Sequence, residues 1–320
     1  MVAQCIKGWF YLSLIVVSTQ AFAKERIIDD SYTPSERFAR YVKQDPTLVR
    51  PTLSFEDGQQ VIFNRRYKEI NGRELHLDIF LPVKLRASGQ SIILVHGGGW
   101  RAGDKSHFYP MANLLAKRGF VVVLPEYRLS IEAEYPSGLV DLNHARVWLA
   151  EHADEFSIDP NHIAIGGGSS GGHMAALVAN TANKPWFKDT AITLATTFNA
   201  VVDLDGLLDF TTPLAIKNEN KENSAAALWF GGSMQDRLSK WQQASTAKHI
   251  HKESPPILII SSGQLRFTAG KDDVVNQLNK FGIPNQYYEF KQVIHTFWLF
   301  EPYLSQTVDM VDLFFKKLDL

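Results

Sequence analysis

Apolar residues along this chain fall into short unbroken runs separated by stretches of helical spacing. Residues 92–95, 120–124, 163–165, 200–204 and 257–260 are continuous apolar runs, the pattern of strands buried on both faces of a parallel sheet. Residues 75–81 alternate instead, as a strand with one face toward solvent does, and residues 287–293 read as the last strand. Between these runs, residues 111–118, 139–153, 173–182 and 272–281 carry apolar positions at helical spacing and stop near Gly, Pro or polar residues. Strands alternating with helices predict an α/β chain with a mostly parallel, doubly wound sheet and helices on both faces. Neither an internal repeat nor a flexible linker interrupts residues 61–320, which therefore read as one domain.

Two stretches depart from the alternation. Residues 24–60 are polar and punctuated by Pro34, Pro46 and Pro51, with one short helix expected over 35–43; they read as an arm packed on the domain. Residues 206–235 are long for a connection and include the polar run 217–224, which suits a small lid. The N-terminus reads as an export signal over residues 1–23. Lys7 precedes an apolar run over 9–17, and Ala21-Phe22-Ala23 supplies a small-x-small cleavage site. That run is shorter than the roughly 20 residues that span a bilayer, so the expectation is a periplasmic or secreted protein with no membrane partner after cleavage. The sole cysteine, Cys5, lies upstream of the run, leaving the mature chain without thiols or disulfides.

Composition narrows the partner. Across 320 residues the formal net charge is −1, and no block of Lys and Arg occurs, which argues against nucleic acid and anionic membrane surfaces. The expected partner is a small-molecule or oligosaccharide substrate.

The chemistry is concentrated at three places. The strand at 163–165 runs into Gly166-Gly-Gly-Ser-Ser-Gly-Gly-His173, a strand, a glycine-rich turn and a helix of small residues, which is the layout of a nucleophile elbow. Glycines are needed there because the serine sits on a strained turn with no room for side chains two residues away. The Gly-x-Ser-x-Gly pattern fits Ser169 and Ser170 equally. A phosphate loop would require a following Lys, which is absent. Directly after the strand at 92–95 comes His96-Gly97-Gly98-Gly99-Trp100, whose bare backbone N–H groups can face a developing oxyanion. His295 follows the last strand, at the sheet edge that carries the elbow, and can serve as general base. His173, at the start of the elbow helix, reads as a turn-fixing residue.

Together these stretches resemble the esterase/lipase branch of the α/β hydrolases, which includes hormone-sensitive-lipase-like enzymes and bacterial carbohydrate acetylesterases. The matching residues are His96-Gly-Gly-Gly-Trp-Arg-Ala-Gly-Asp-Lys105, Tyr127-Arg-Leu129, Tyr135-Pro136, Asp141 with Trp148, Ser157-Ile-Asp-Pro160, the elbow and His295-Thr-Phe297. Members read Gly-x-Ser-Ala-Gly-Gly-His, so the resemblance implies Ser169 as nucleophile, and an oxyanion hole from the N–H groups of Gly98, Gly99 and Ser170. It implies the α/β-hydrolase fold and ester hydrolysis needing no metal or cofactor. The substrate it suggests is an acetylated plant-wall polysaccharide or oligosaccharide, with pectin first.

One departure stands out. Relatives carry their acid after the strand at 257–260, where this chain reads Ser261-Ser-Gly-Gln-Leu-Arg266 with no carboxylate. Asp205, ending the preceding strand, is the favoured replacement, and Asp272 or Asp273 the alternative; the plain readings are a turn residue for Asp205 and a helix cap for Asp272. The rivals are a feruloyl or short-chain aryl esterase, a long-chain lipase, a formamidase, and a binding protein on a decayed hydrolase scaffold.

Overall fold

The structure, a computed structural model, describes residue 29 and residues 31–319. The export signal expected over residues 1–23, and Cys5 with it, lies outside the described residues. After α1 (Pro34–Tyr41) the chain forms β1 (Gln60–Ile70), β2 (Arg73–Leu81), β3 (Ser91–Val95), α2 (Tyr109–Lys117), β4 (Val121–Pro125), α3 (Ser137–Glu151), α4 (Ala153–Phe156) and β5 (Ile163–Gly168). It continues through α5 (Ser170–Asn180), β6 (Val201–Leu204), α6 (Pro213–Glu219), α7 (Ala225–Phe230), α8 (Leu238–Gln243), β7 (Ile257–Ser261), α9 (Lys271–Phe281), β8 (Asn285–Glu289) and α10 (Tyr303–Lys317). Among the described residues no helix is long and apolar enough to cross a membrane.

The eight strands form one sheet in the order β1-β2-β4-β3-β5-β6-β7-β8. β2 pairs antiparallel with β1 and β4, and the pairs from β4 through β8 are parallel. The continuous apolar runs have the reason expected of them. Ile93, Val95, Val121, Val123, Ile163 and Ile165 face one core with α3, α5 and α9, while their neighbours Ile92, Leu94, Val122, Leu124 and Ala164 face a second core with α2 and α10. A strand alternates faces at every residue, so covering both faces with helices makes every position apolar.

Chain order reverses at β3, which pairs with β4 on one side and β5 on the other. Such a switch point leaves a crevice at the carboxyl ends of the strands, between loops that leave in opposite directions. Here those loops are the glycine run after β3 and the elbow after β5.

Two expectations change and two elements are additional. β1 carries polar Asn64, Arg65 and Arg66 among its apolar residues and lies at the sheet edge, so its sequence lacks the signature of the buried strands. β2 is buried more deeply than its alternation implies, because Asp78 is also inside, paired with Lys105 at 2.7 Å. The last strand occupies 285–289 rather than 287–293, since its register with β7 ends at Glu289 and the chain then turns through Gln292 at φ 57°. α10 was not anticipated from the spacing, yet it inserts Leu304, Val308, Val311, Phe314 and Phe315 into the second core. The arm lies against the segment after His295: Leu48 is buried, Val49 bridges to Glu301, Tyr303 donates to Asp45 at 2.9 Å, and Phe38 packs on Phe300. Residues 206–235 hold α6 and α7.

Candidate active site

The elbow is built by the close approach of β5 and α5 to β3. A side chain at Gly171 would collide with the carbonyl of Val95, so only glycine permits α5 to start this near the sheet. Ser169 is thereby lifted into a strained conformation, φ 56° and ψ −123°, at the head of α5, and its N–H donates to Leu204 O at 2.8 Å.

Three of the side chains singled out in the sequence meet there. Ser169 Oγ donates to His295 Nε2 at 2.9 Å, and His295 Nδ1 donates to Asp205 Oδ2 at 2.9 Å. Asp205 is buried, in the left-handed region at φ 53°, and its Oδ1 accepts from the Ser262 N–H at 2.7 Å. The loop after β7, where the resemblance would place the acid, supplies a backbone donor here, and the carboxylate that meets His295 comes from the end of β6. The imidazole is also fixed by rings: Phe267 stacks on it at 3.6 Å and 7°, and Trp298 meets it edge-on at 5.5 Å. With Nδ1–H held by a carboxylate, Nε2 is left basic and aimed at the hydroxyl, an arrangement able to take its proton and hold the resulting imidazolium.

The alternative acids are elsewhere. Asp272 is 82% exposed at the start of α9 and pairs with Lys271 at 2.8 Å, as a residue in a helix's first turn does, and Asp273, also exposed, belongs to the same turn. Neither is brought to His295.

Gly98 and Gly99 take φ of 130° and 64°, and a Cβ on Gly98 would strike the carbonyl of Ala102. Among the described residues, the N–H groups of Gly98, Gly99 and Ser170 donate to no protein acceptor, which leaves them available to a ligand oxygen. The loop is locked behind them. Trp100, at φ 59°, stacks on Trp229 of α7 at 4.9 Å and 8°, and its Nε1 donates to His173 Nδ1 at 3.2 Å. His173 Nε2 donates in turn to Ala244 O at 2.8 Å. Burial holds the His173 imidazole down at about 4, so it stays neutral and keeps the tautomer that accepts from Trp100. Beneath the acid, burial pushes the Asp203 carboxyl well above the usual range, and its Oδ1 accepts from the Gly206 N–H at 2.8 Å.

Ser169, Ser170 and Asp205 open on a cavity of about 60 Å³ that is walled by Gly99, Trp100, Leu207, Phe267 and by Glu219 and Ala225 from the 206–235 segment. A larger space of about 250 Å³ under the arm, beside Arg50, His107 and Phe300, contains none of these groups. Sequence reasoning missed Phe267, Trp298, Glu219 and Arg266. Trp298 carried a weak signal, three residues after the histidine, whereas Arg266 and Phe267 reach the site from the turn after β7 and Glu219 from the end of α6.

Comparison with known proteins adds a family and a fold. The model of the BD-FAE family matches residues 77–275. A probable carboxylic ester hydrolase of Mycobacterium tuberculosis, LipM, is 32% identical over 198 residues, and esterase LipQ of the same organism is 27% identical over 205. Each match covers 59% of this chain, but only 44% of LipM and 45% of LipQ, so the aligned region spans under half of those relatives. Among solved structures, a truncated carbohydrate esterase from gut microbiota superposes with a TM-score of 0.67 at 22% identity, covering 84% of this chain and 99% of that one. The butyrate-bound esterase Est2 of Thermogutta terrifontis gives 0.66 at 23%, over 82% and 95%. At such identities the likeness establishes the fold, that of the α/β hydrolases.

Proposed function

The chain belongs to the BD-FAE family, and from that premise we propose that it is a serine carboxylic ester hydrolase that removes acetyl groups from plant-wall polysaccharide or its fragments. The observation that carries the reading is His295 bridging Ser169 and Asp205, at 2.9 Å on each side. Ser169 Oγ attacks the ester carbonyl while its proton passes to His295 Nε2. The carbonyl oxygen becomes an oxyanion facing the N–H groups of Gly98, Gly99 and Ser170. Collapse breaks the C–O bond to the alcohol, which leaves with the proton from His295. Water then attacks the acyl-serine, again giving its proton to His295, and a second collapse releases the acid and restores Ser169.

Support for a small acyl group comes from the cavity. About 60 Å³ holds a few water-sized groups, given roughly 10–15 Å³ for one, which suits acetyl far better than feruloyl or a fatty chain. Support for a carbohydrate alcohol comes from the gut carbohydrate esterase that shares the fold and from the export signal read at the N-terminus, which also makes the site of action periplasmic or extracellular. Pectin is the first substrate to try. The contact of Asp205 with His295 at 2.9 Å supports an active hydrolase over a decayed binding protein, a reading motivated by the missing carboxylate after β7.

The test is acetate release from acetylated pectin, acetylated xylan and p-nitrophenyl acetate, by the protein and by Ser169→Ala in parallel. Release that disappears in the variant is the expected result. Release retained in Ser169→Ala moves the nucleophile to Ser170, and an intact protein that neither releases acetate nor takes a fluorophosphonate label ends the hydrolase reading.

A further inference from the structure

At the mouth of the cavity sits an ion pair that neither the proposed acyl transfer nor the fold accounts for. Arg266 Nε donates to Glu219 Oε1 at 2.7 Å, and both residues line the same cavity as Ser169. The partners are unequal: the Glu219 side chain is 2% exposed and that of Arg266 51%. Glu219 is the last residue of α6, where the helix presents unpaired carbonyls, and burying a carboxylate there is unfavourable without a cation beside it. The segment around it is pinned, since Ser224 Oγ donates to the Glu219 carbonyl. The guanidinium is held by that carboxylate at Nε and lies over the Phe267 ring, 5.3 Å from its centroid. Among the described residues, the two Nη groups of Arg266 meet no protein acceptor.

From this geometry we propose that Arg266, positioned by Glu219, is a specificity-determining residue that takes a carboxylate on the alcohol side of the substrate. The inference rests on the ester-hydrolase reading and narrows it to acetyl esters of uronic acid sugars. A planar guanidinium whose Nε is already occupied presents its Nη pair as a two-pronged fork, and a carboxylate is the group that matches both prongs. A neutral sugar hydroxyl uses one prong and gains no charge attraction. The chain's near-zero formal net charge supplies no general attraction for a polyanion, so recognition of an acidic sugar falls to a local cation such as this one. Glu219 acts as a positioning residue, and its carboxylate, behind the guanidinium, is farther from an incoming anion than the Nη groups are.

The experiment uses two probes that differ in charge and by one methyl group: a mono-O-acetylated methyl galacturonide with a free carboxylate, and the same compound with that carboxylate methyl-esterified. Acetate release is followed for the whole protein at low ionic strength. The free acid is expected to be preferred about tenfold or more in kcat/KM, mostly through KM, the size of one charge-assisted pair. Arg266→Gln brings the ratio toward one, Arg266→Lys keeps part of it, and Glu219→Gln lowers it by loosening the fork. In wild-type protein the ratio shrinks at about 1 M salt, where the Debye length falls to about 3 Å, a readout independent of any variant's folding. A wild-type enzyme that takes the methyl ester equally well, or an Arg266→Gln protein that loses both probes in proportion, overturns the inference while leaving hydrolysis intact. No acetate from either probe or from p-nitrophenyl acetate overturns the hydrolase reading and the inference with it.

Discussion

Three of the non-glycine residues at positive φ, Trp100, Ser169 and Asp205, lie on loops at the carboxyl edge of the sheet, beside the cavity. Asp205 can be separated from its rival at this scale. Asp205→Asn is expected to lower kcat by about four orders of magnitude, the cost of the same change in a serine protease, because the amide favours the wrong tautomer of His295. Asp272→Asn, at an exposed ion pair, is expected to leave kcat within experimental error; the reverse pattern would return the acid to α9. Gly98→Ala places a methyl against the Ala102 carbonyl and moves the oxyanion loop. Its expected effect is a fall in kcat of about 10²–10³, the size of one lost oxyanion donor, and steady-state turnover of p-nitrophenyl acetate measures it.

Between elements, the decisive joint is the one that holds the loop after β3 against α5 and α7. The stack of Trp229 on Trp100, with Tyr135 edge-on at 5.0 Å, fills the space between the 206–235 segment and the elbow. Trp229→Ala is expected to cost about 3–5 kcal/mol in denaturant unfolding, as large aromatic truncations in cores do. It should also lower kcat, because Trp100 loses the face that keeps its strained backbone in place. Unchanged turnover in a destabilised variant would show that the loop needs only His173.

For the whole molecule, acid should act through buried imidazoles. Burial holds His107 and His173 each down at about 4, against 6.5 when exposed. Between those values the unfolded chain binds protons that the folded chain refuses, so stability is full above about 6.5 and declines as pH falls toward 4. The Asp203 carboxyl, raised by burial, acts in the opposite sense: its folded form keeps a proton that the unfolded chain releases above 3.8, and it costs stability as pH rises from there. Chemical denaturation at pH 7 and pH 5 is expected to show lower stability at pH 5, with a smaller drop in His107→Phe. Equal drops in both proteins would remove His107 from the account. The arm contributes on the same scale. Leu48→Ala is expected to cost about 2–4 kcal/mol, and a loss under about 0.5 kcal/mol, typical of surface positions, would reduce the arm to a surface strap.

What the residues determined alone was local. Two-sided burial forces apolar runs, so β3 to β7 were legible without coordinates, and the glycine patterns at 97–99 and 166–172 announced tight turns because only glycine tolerates those approaches. β1 and α10 were not legible: an edge strand with one wet face carries polar residues, and a helix that closes the second core declares itself only when that core exists. Asp205 was one of three candidate carboxylates with Asp272 and Asp273, since sequence distance says nothing of which one reaches Nδ1 of His295; the adjacency of β6 and β7 decided that. Arg266 and Phe267 share the turn after β7, Glu219 ends α6 and Trp298 follows His295; that the first three line one cavity and Trp298 meets the imidazole depends on strand order. Residue type can name a nucleophile and a base, but a site assembled from the ends of several strands exists only once the sheet has set those ends side by side.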